Sequence, residues 1–181
     1  MVLTSAPGKC ILFGEHAVVY GQPAVAVAID ARVQVSLEKS KSGWRIDGMK
    51  FDKNRHPHLD AILKRMWIGD GGGPLSVHIE SDLFSAAGLG SSAAICSGVA
   101  AGLLHLGGTP SDDMPLQGIA TTAHIAEAEA QGGRASPIDT STSTLGGVVM
   151  VSDKKEAQAN WQYTRDLRID GIRRTWEVQT V

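Results

Sequence analysis

Residues 88 to 94 read Gly88-Leu89-Gly90-Ser91-Ser92-Ala93-Ala94 and run straight into an apolar stretch, Ala93 to Leu106, with the length and composition of a buried helix. Two glycines let the backbone turn its N–H groups inward, two serines can cap the helix and offer hydroxyls, and the helix N-terminus adds partial positive charge. Those residue types at that spacing make an anion site, and a nucleotide phosphate fits it. The loop is not a P-loop, because no Gly-Lys-Ser/Thr closes it, nor a dinucleotide fingerprint, whose glycine spacing and acidic partner are missing. Two further segments carry residues of chemical interest. Ser5 to Gly21 brings Lys9, Glu15 and His16 close together in sequence, and Gln131 to Gly147 holds Asp139 behind Ala135-Ser136-Pro137.

Strands and helices must position these groups. Val33, Val35 and Leu37 alternate with Arg32, Gln34 and Ser36, and Leu75, Val77 and Ile79 with Ser76, His78 and Glu80, which is the period of strands buried on one face. They are expected to be antiparallel neighbours in a sheet open on one side. His58 to Trp67 reads as a helix with Leu59, Ile62, Leu63 and Met66 on one stripe, stopped by Gly71-Gly72-Gly73-Pro74. Ser111-Asp112-Asp113 is expected to start a helix running through Ile119, His124 and Glu127 toward Gly132-Gly133. Val148 to Val151 closes as a strand. Together these predict an α+β fold, helices on one face of a sheet.

Composition narrows the function classes. A chain of 181 residues with 43% hydrophobic content can bury a core, and a net charge of −2 leaves no electrostatic footprint for nucleic acid or an anionic membrane. The sequence shows no basic-then-apolar leader and no run of about 18 apolar residues, so a cytoplasmic protein with no membrane or nucleic-acid partner is expected. Cys10 and Cys96 lack metal-ligand spacing and read as buried free thiols. The histidines beyond His16 have no mutual spacing that implies a metal site, and Trp44 and Trp67 read as packing residues.

Ala6-Pro7-Gly8-Lys9, followed by Gly14-Glu15-His16-Ala17-Val18-Val19-Tyr20-Gly21, together with the Gly88 to Ser92 loop and Ala135-Ser136-Pro137-Ile138-Asp139, resembles the GHMP kinases. Within that family it looks like the mevalonate kinases of archaeal type, since Ala17-Val18-Val19 stands where galactokinase-like chains have Thr-Asp-Tyr. The resemblance implies a two-layer fold like domain 2 of ribosomal protein S5, with ATP and Mg²⁺ as cofactors. Backbone N–H groups of Gly88, Leu89, Gly90, Ser91 and Ser92 would hold the phosphates, and Ser92 and Glu127 would be the metal ligands. Asp139 would be the catalytic carboxylate, paired with Lys9, while Glu15 and His16 would contact mevalonate. The expected reaction is phosphorylation of the 5-hydroxyl of (R)-mevalonate, in isoprenoid synthesis, by a homodimer.

Several alternatives stay open at this level. Glu129 lies about 200° round a helix from Glu127, so only one of the two can face the site, and both also fit a solvated helix face. Asp139 after Pro137 fits a turn-capping aspartate as well. Phe84 stands where the family has a proline ahead of the loop, and Gln131-Gly132-Gly133-Arg134 is one residue longer than the family pattern. The resemblance places the nucleotide- and substrate-binding domain in residues 1–152 and leaves 153–181 unmatched, with the family's C-terminal domain missing. The alternative functions are a catalytically incompetent domain that only binds nucleotide or substrate, and a GHMP kinase for a related substrate.

Overall fold

Alternating apolar residues draw much of the N-terminal half into strands, and the computed structural model arranges them in one mixed sheet with helices on its inner face. It describes residues 1–20, 22–69, 71–84, 87–133, 135, 137–152, 163–169 and 172–180. The strands are β1 (Val2–Phe13), β2 (Ala24–Lys39), β3 (Arg45–Ile46), β4 (Met49–Lys50), β5 (Leu75–Ser81), β6 (Val148–Ser152), β7 (Tyr163–Ile169) and β8 (Ile172–Thr180). The helices are α1 (Pro57–Leu63), α2 (Ser91–Leu106), α3 (Leu116–Ala130) and α4 (Ile138–Leu145), with a π-helical turn, Lys64–Ile68, continuing α1. The sheet runs β4-β3-β5-β2-β6-β8-β7, and β1 pairs with β2. Among the described residues no helix is long and apolar enough to cross a membrane.

Strand β2 organises the sheet. One edge pairs antiparallel with β1 along most of its length, while the other takes β5 against Val33–Lys39 and β6 against Ala24–Val27. The expected alternation holds in the second half of β2, where Val33, Val35 and Leu37 are fully buried and Gln34 and Glu38 are exposed. In the first half the phase is reversed, for Ala24 and Ala26 are the buried residues. The change comes at a register irregularity: Pro7 pairs with Arg32 but Lys9 with Ala28, so Gly8 alone faces residues 29–31. Three residues of β2 stand opposite one of β1 there, and the alternation of both strands changes phase across this irregularity. It turns Lys9 and Ile11 inward and Cys10 outward, so Cys10 is exposed, against the expectation of a buried thiol. Cys96 is buried as expected, and burial pushes its thiol pKa up.

Two apolar cores follow from this phase change. The larger joins Val33, Val35 and Leu37 to Leu59, Ile62, Leu63, Val77, Val99 and Leu103, with Trp44 and Trp67 packed at its margin. The smaller joins Ala24, Ala26, Val149 and Val151 to Val18 and Ile138 beneath α4. Helix α2 lies close on the sheet because Gly98 and Gly102 face Val35 and Leu37, where a Cβ would come within 3.0 and 2.6 Å of their methyl carbons. Thr4 Oγ1 donates to Gly98 O at 2.7 Å across the same contact.

The expected helix from Ser111 is divided. Ser111–Asp113 forms a separate 3₁₀ turn, Met114 and Pro115 are not helical, and α3 starts at Leu116. Pro115 explains the break, because a proline disfavours helical backbone in the residue before it.

Gly14 ends β1 at φ +84°, and a Cβ there would lie 2.3 Å from Pro23 O. Gly14→Ala is therefore expected to cost about 1–3 kcal/mol, seen as a lower urea midpoint at unchanged m-value. An unaltered midpoint would mean that this turn relaxes freely.

Candidate active site

The loop before α2 is built around Lys9. Gly88 and Gly90 take left-handed backbone, φ +71° and +74°, and Gly90 is the N-cap of α2. The Lys9 N–H donates to Leu89 O at 2.9 Å, docking the loop on β1. Gly90 then lies over the lysine stem, where a Cβ would come 2.8 Å from Lys9 Cγ. The first intrahelical bond shown runs from Ala94 N–H to Gly90 O. N–H groups ahead of it have no acceptor within the helix and make a small region of positive potential. Neither serine caps the helix by its side chain, contrary to expectation.

Ser92 does something else with its hydroxyl. It donates to Glu127 Oε1 at 2.7 Å, joining α2 to α3. Glu127 is only 3% exposed, and burial raises its pKa to about 7; the Asp139 charge adds to the rise, while the Ser92 hydrogen bond, Lys9 and Gln131 oppose it. Glu129, two residues on, is exposed and paired with Arg65, whose Nε lies 3.2 Å from Oε2. Of the two glutamates, Glu127 is therefore the one turned to the loop.

Asp139 enters from the first turn of α4. Its Oδ1 lies 3.1 Å from Lys9 Nζ, and the lysine side chain is 5% exposed. Burial raises the Asp139 pKa, the Lys9 charge and hydrogen bond pull it back, and Glu15 pushes it further up. Lys9, Glu15, Glu127, Gln131 and Asp139 line one cavity of about 160 Å³, floored by Ile11 and Ile138. Glu15 is exposed and reaches that lining. His16, in the turn after β1, is exposed and does not. Gln131, which the sequence marks only as the start of a motif, joins the group through its one-turn spacing from Glu127.

Trp67 sits elsewhere. Its Nε1 donates to Gly73 O at 2.7 Å, and it borders a cavity with Met66, Leu103 and Leu104, near the end of α2 opposite the loop. Among the described residues no three His, Cys, Asp or Glu side chains are placed to hold a metal. The Ser92 hydroxyl and Glu127 carboxylate are instead a hard oxygen pair of the kind Mg²⁺ uses together with substrate phosphates and water.

A positively polarised helix N-terminus beside a Lys–Asp ion pair, on this fold, points to one class of protein. Residues 58–147 match the GHMP kinases N terminal domain, and the chain belongs to that family. It is similar to the mevalonate kinase of Methanothermobacter thermautotrophicus, 38% identical over 168 residues covering 90% of this chain and 53% of that protein. The mevalonate kinase of Archaeoglobus fulgidus is 36% identical over 167 residues, covering 90% of this chain and 57% of its own. In structure the chain resembles Methanococcus jannaschii mevalonate kinase, with a TM-score of 0.70 at 26% identity over 83% of this chain and 53% of that one. The chain thus spans about half the length of the curated relatives it matches.

Glu127 makes stability depend on pH. Its folded pKa, about 7, lies above the ordinary 4.5, so the stability tied to its neutral form is full below pH 4.5 and lost as pH rises through 7. Without metal or nucleotide, wild type is expected to lose about 3 kcal/mol more than Glu127→Gln across that window. Urea titrations at pH 4.5 and 7.5 check this, and parallel pH profiles would rule it out.

Proposed function

We propose that the chain forms the nucleotide- and substrate-binding part of an ATP-dependent kinase that phosphorylates the 5-hydroxyl of (R)-mevalonate. Residues 1–152 are its binding domain, and β7 and β8 extend the sheet beyond β6. The observation that carries the proposal is the ion pair of buried Lys9 with half-buried Asp139, 3.1 Å apart, in the cavity that Glu127 also lines. Similarity to proteins named mevalonate kinase supports the choice of substrate. A cytoplasmic location and a homodimer are parts of the proposal.

Phosphoryl transfer needs position and charge stabilisation more than covalent chemistry. The N–H groups of Gly88 to Ser92 hold the ATP phosphates against the positive end of α2. Ser92 and Glu127 would hold Mg²⁺, which when bound neutralises charge on the phosphates. Asp139 accepts a hydrogen bond from the substrate hydroxyl and takes its proton as the oxygen attacks. Its raised pKa makes it a better base than a solvated aspartate. Lys9 holds Asp139 in place and stabilises the alkoxide that develops beside it. Glu15 and His16 orient the acceptor, with Glu15 at the cavity lining.

The test is mevalonate-dependent ADP release from MgATP, wild type beside Asp139→Asn, with MgADP binding measured on both. Wild-type turnover is expected, with Asp139→Asn slower by about 10²–10⁴-fold at similar nucleotide affinity. A folded wild type that binds MgADP without turnover favours a binding domain instead. One that binds neither nucleotide nor mevalonate overturns the proposal.

A further inference from the structure

We infer that Gln131 is a positioning residue that holds the Glu127 carboxylate in place for a divalent cation. The inference rests on the kinase proposal above and adds to it a residue outside the expected set of phosphate, metal and acid–base groups.

Glu127 is almost wholly buried, so its carboxylate oxygens need donors from the protein. Ser92 donates to Oε1 at 2.7 Å. The Gln131 side chain lines the same cavity one turn further along α3, where its interaction lowers the Glu127 pKa. An ionised carboxylate can only accept, so the NH₂ end of Gln131 is the one that serves it in that state. The two donors differ in what a cation would do to them. The Ser92 oxygen is itself a cation ligand in the proposal, so its bond to Glu127 must give way or rearrange when the site fills. An amide NH₂ cannot ligate, so Gln131 can keep its grip with the cation in place. Such outer partners fix the orientation of a ligating group.

The backbone around Gln131 is arranged to keep it there. Gln131 is the C-cap of α3, one turn beyond Glu127, and its own N–H donates to Glu127 O at 3.0 Å. Gly132 and Gly133 then take left-handed backbone, φ +66° and +89°, and Gly133 N–H returns to Ala128 O at 2.6 Å. The helix therefore ends just after Gln131, with this side chain at the rim of the cavity that Glu127, Lys9 and Asp139 line. A neutral donor suits the position, since a lysine there would compete with the cation and an acid would repel Glu127.

Gln131 is exposed, so replacing it should leave folding intact. Gln131→Met keeps the length and removes the donor. Mn²⁺ binding in the presence of ADP is followed by electron paramagnetic resonance of the free ion, and ADP binding without metal by calorimetry. Gln131→Met is expected to weaken Mn²⁺ binding about tenfold, to leave metal-free ADP binding unchanged, and to add nothing on a Glu127→Gln background. A general packing defect would instead weaken metal-free ADP binding as well, and that result overturns the assignment. So would Mn²⁺ affinity within twofold of wild type, or a loss that persists on the Glu127→Gln background. If Glu127→Gln alone leaves Mn²⁺ affinity at the wild-type level, the metal role of Glu127 fails, and the role of Gln131 falls with it.

Discussion

A lysine ammonium held out of water must have a counter-charge, and the architecture around the loop is organised to give Lys9 one. An unpaired charge so deeply buried would cost several kcal/mol. The bulge at Gly8 turns the side chain inward, the Leu89 carbonyl fixes its backbone, and Gly90 lies close over its stem. Helix α4 then delivers Asp139 to its amine. Each contact comes from a different part of the chain, so strand, loop and helix are tied to a single residue.

The site built on that pair is unevenly charged. Three carboxylates, on Glu15, Glu127 and Asp139, share the cavity with one ammonium. Burial and mutual repulsion raise the Glu127 and Asp139 pKa values, so the site resists full ionisation. A divalent cation beside Glu127 would relieve that strain, which would couple metal binding to the charge state of Asp139. Ser92, bonded to Glu127 where it was expected to cap a helix, lies at the junction of the glycine-rich loop and this carboxylate cluster.

Much of this was legible in the sequence, and the misses have physical causes. The alternation of Val33, Val35 and Leu37 and the Gly/Ala content of α2 carry strong local signals, because one face of each element is buried. The pairs Lys9–Asp139 and Ser92–Glu127 join residues 130 and 35 positions apart, so only family motifs linked them in advance. Nothing local distinguishes Glu127 from Glu129; the choice is made by Arg65 on a different element. The exposure of Cys10 depends on a register shift that Gly8 permits but does not announce. In the segment before α3, Pro115 outweighed the capping signal of Ser111-Asp112-Asp113.

The reversal of phase within β2 has a consequence for how the protein can keep a charge dry. On either side of residues 29–31 the sheet packs in its own repeat, alanines under α4 and larger aliphatics under α2. Lys9 stands where the two repeats meet, much as an impurity collects at a grain boundary between two crystals. A lattice tolerates a foreign atom most easily where its order already changes, and here the ammonium occupies such a boundary without taking the place of an aliphatic side chain in either core.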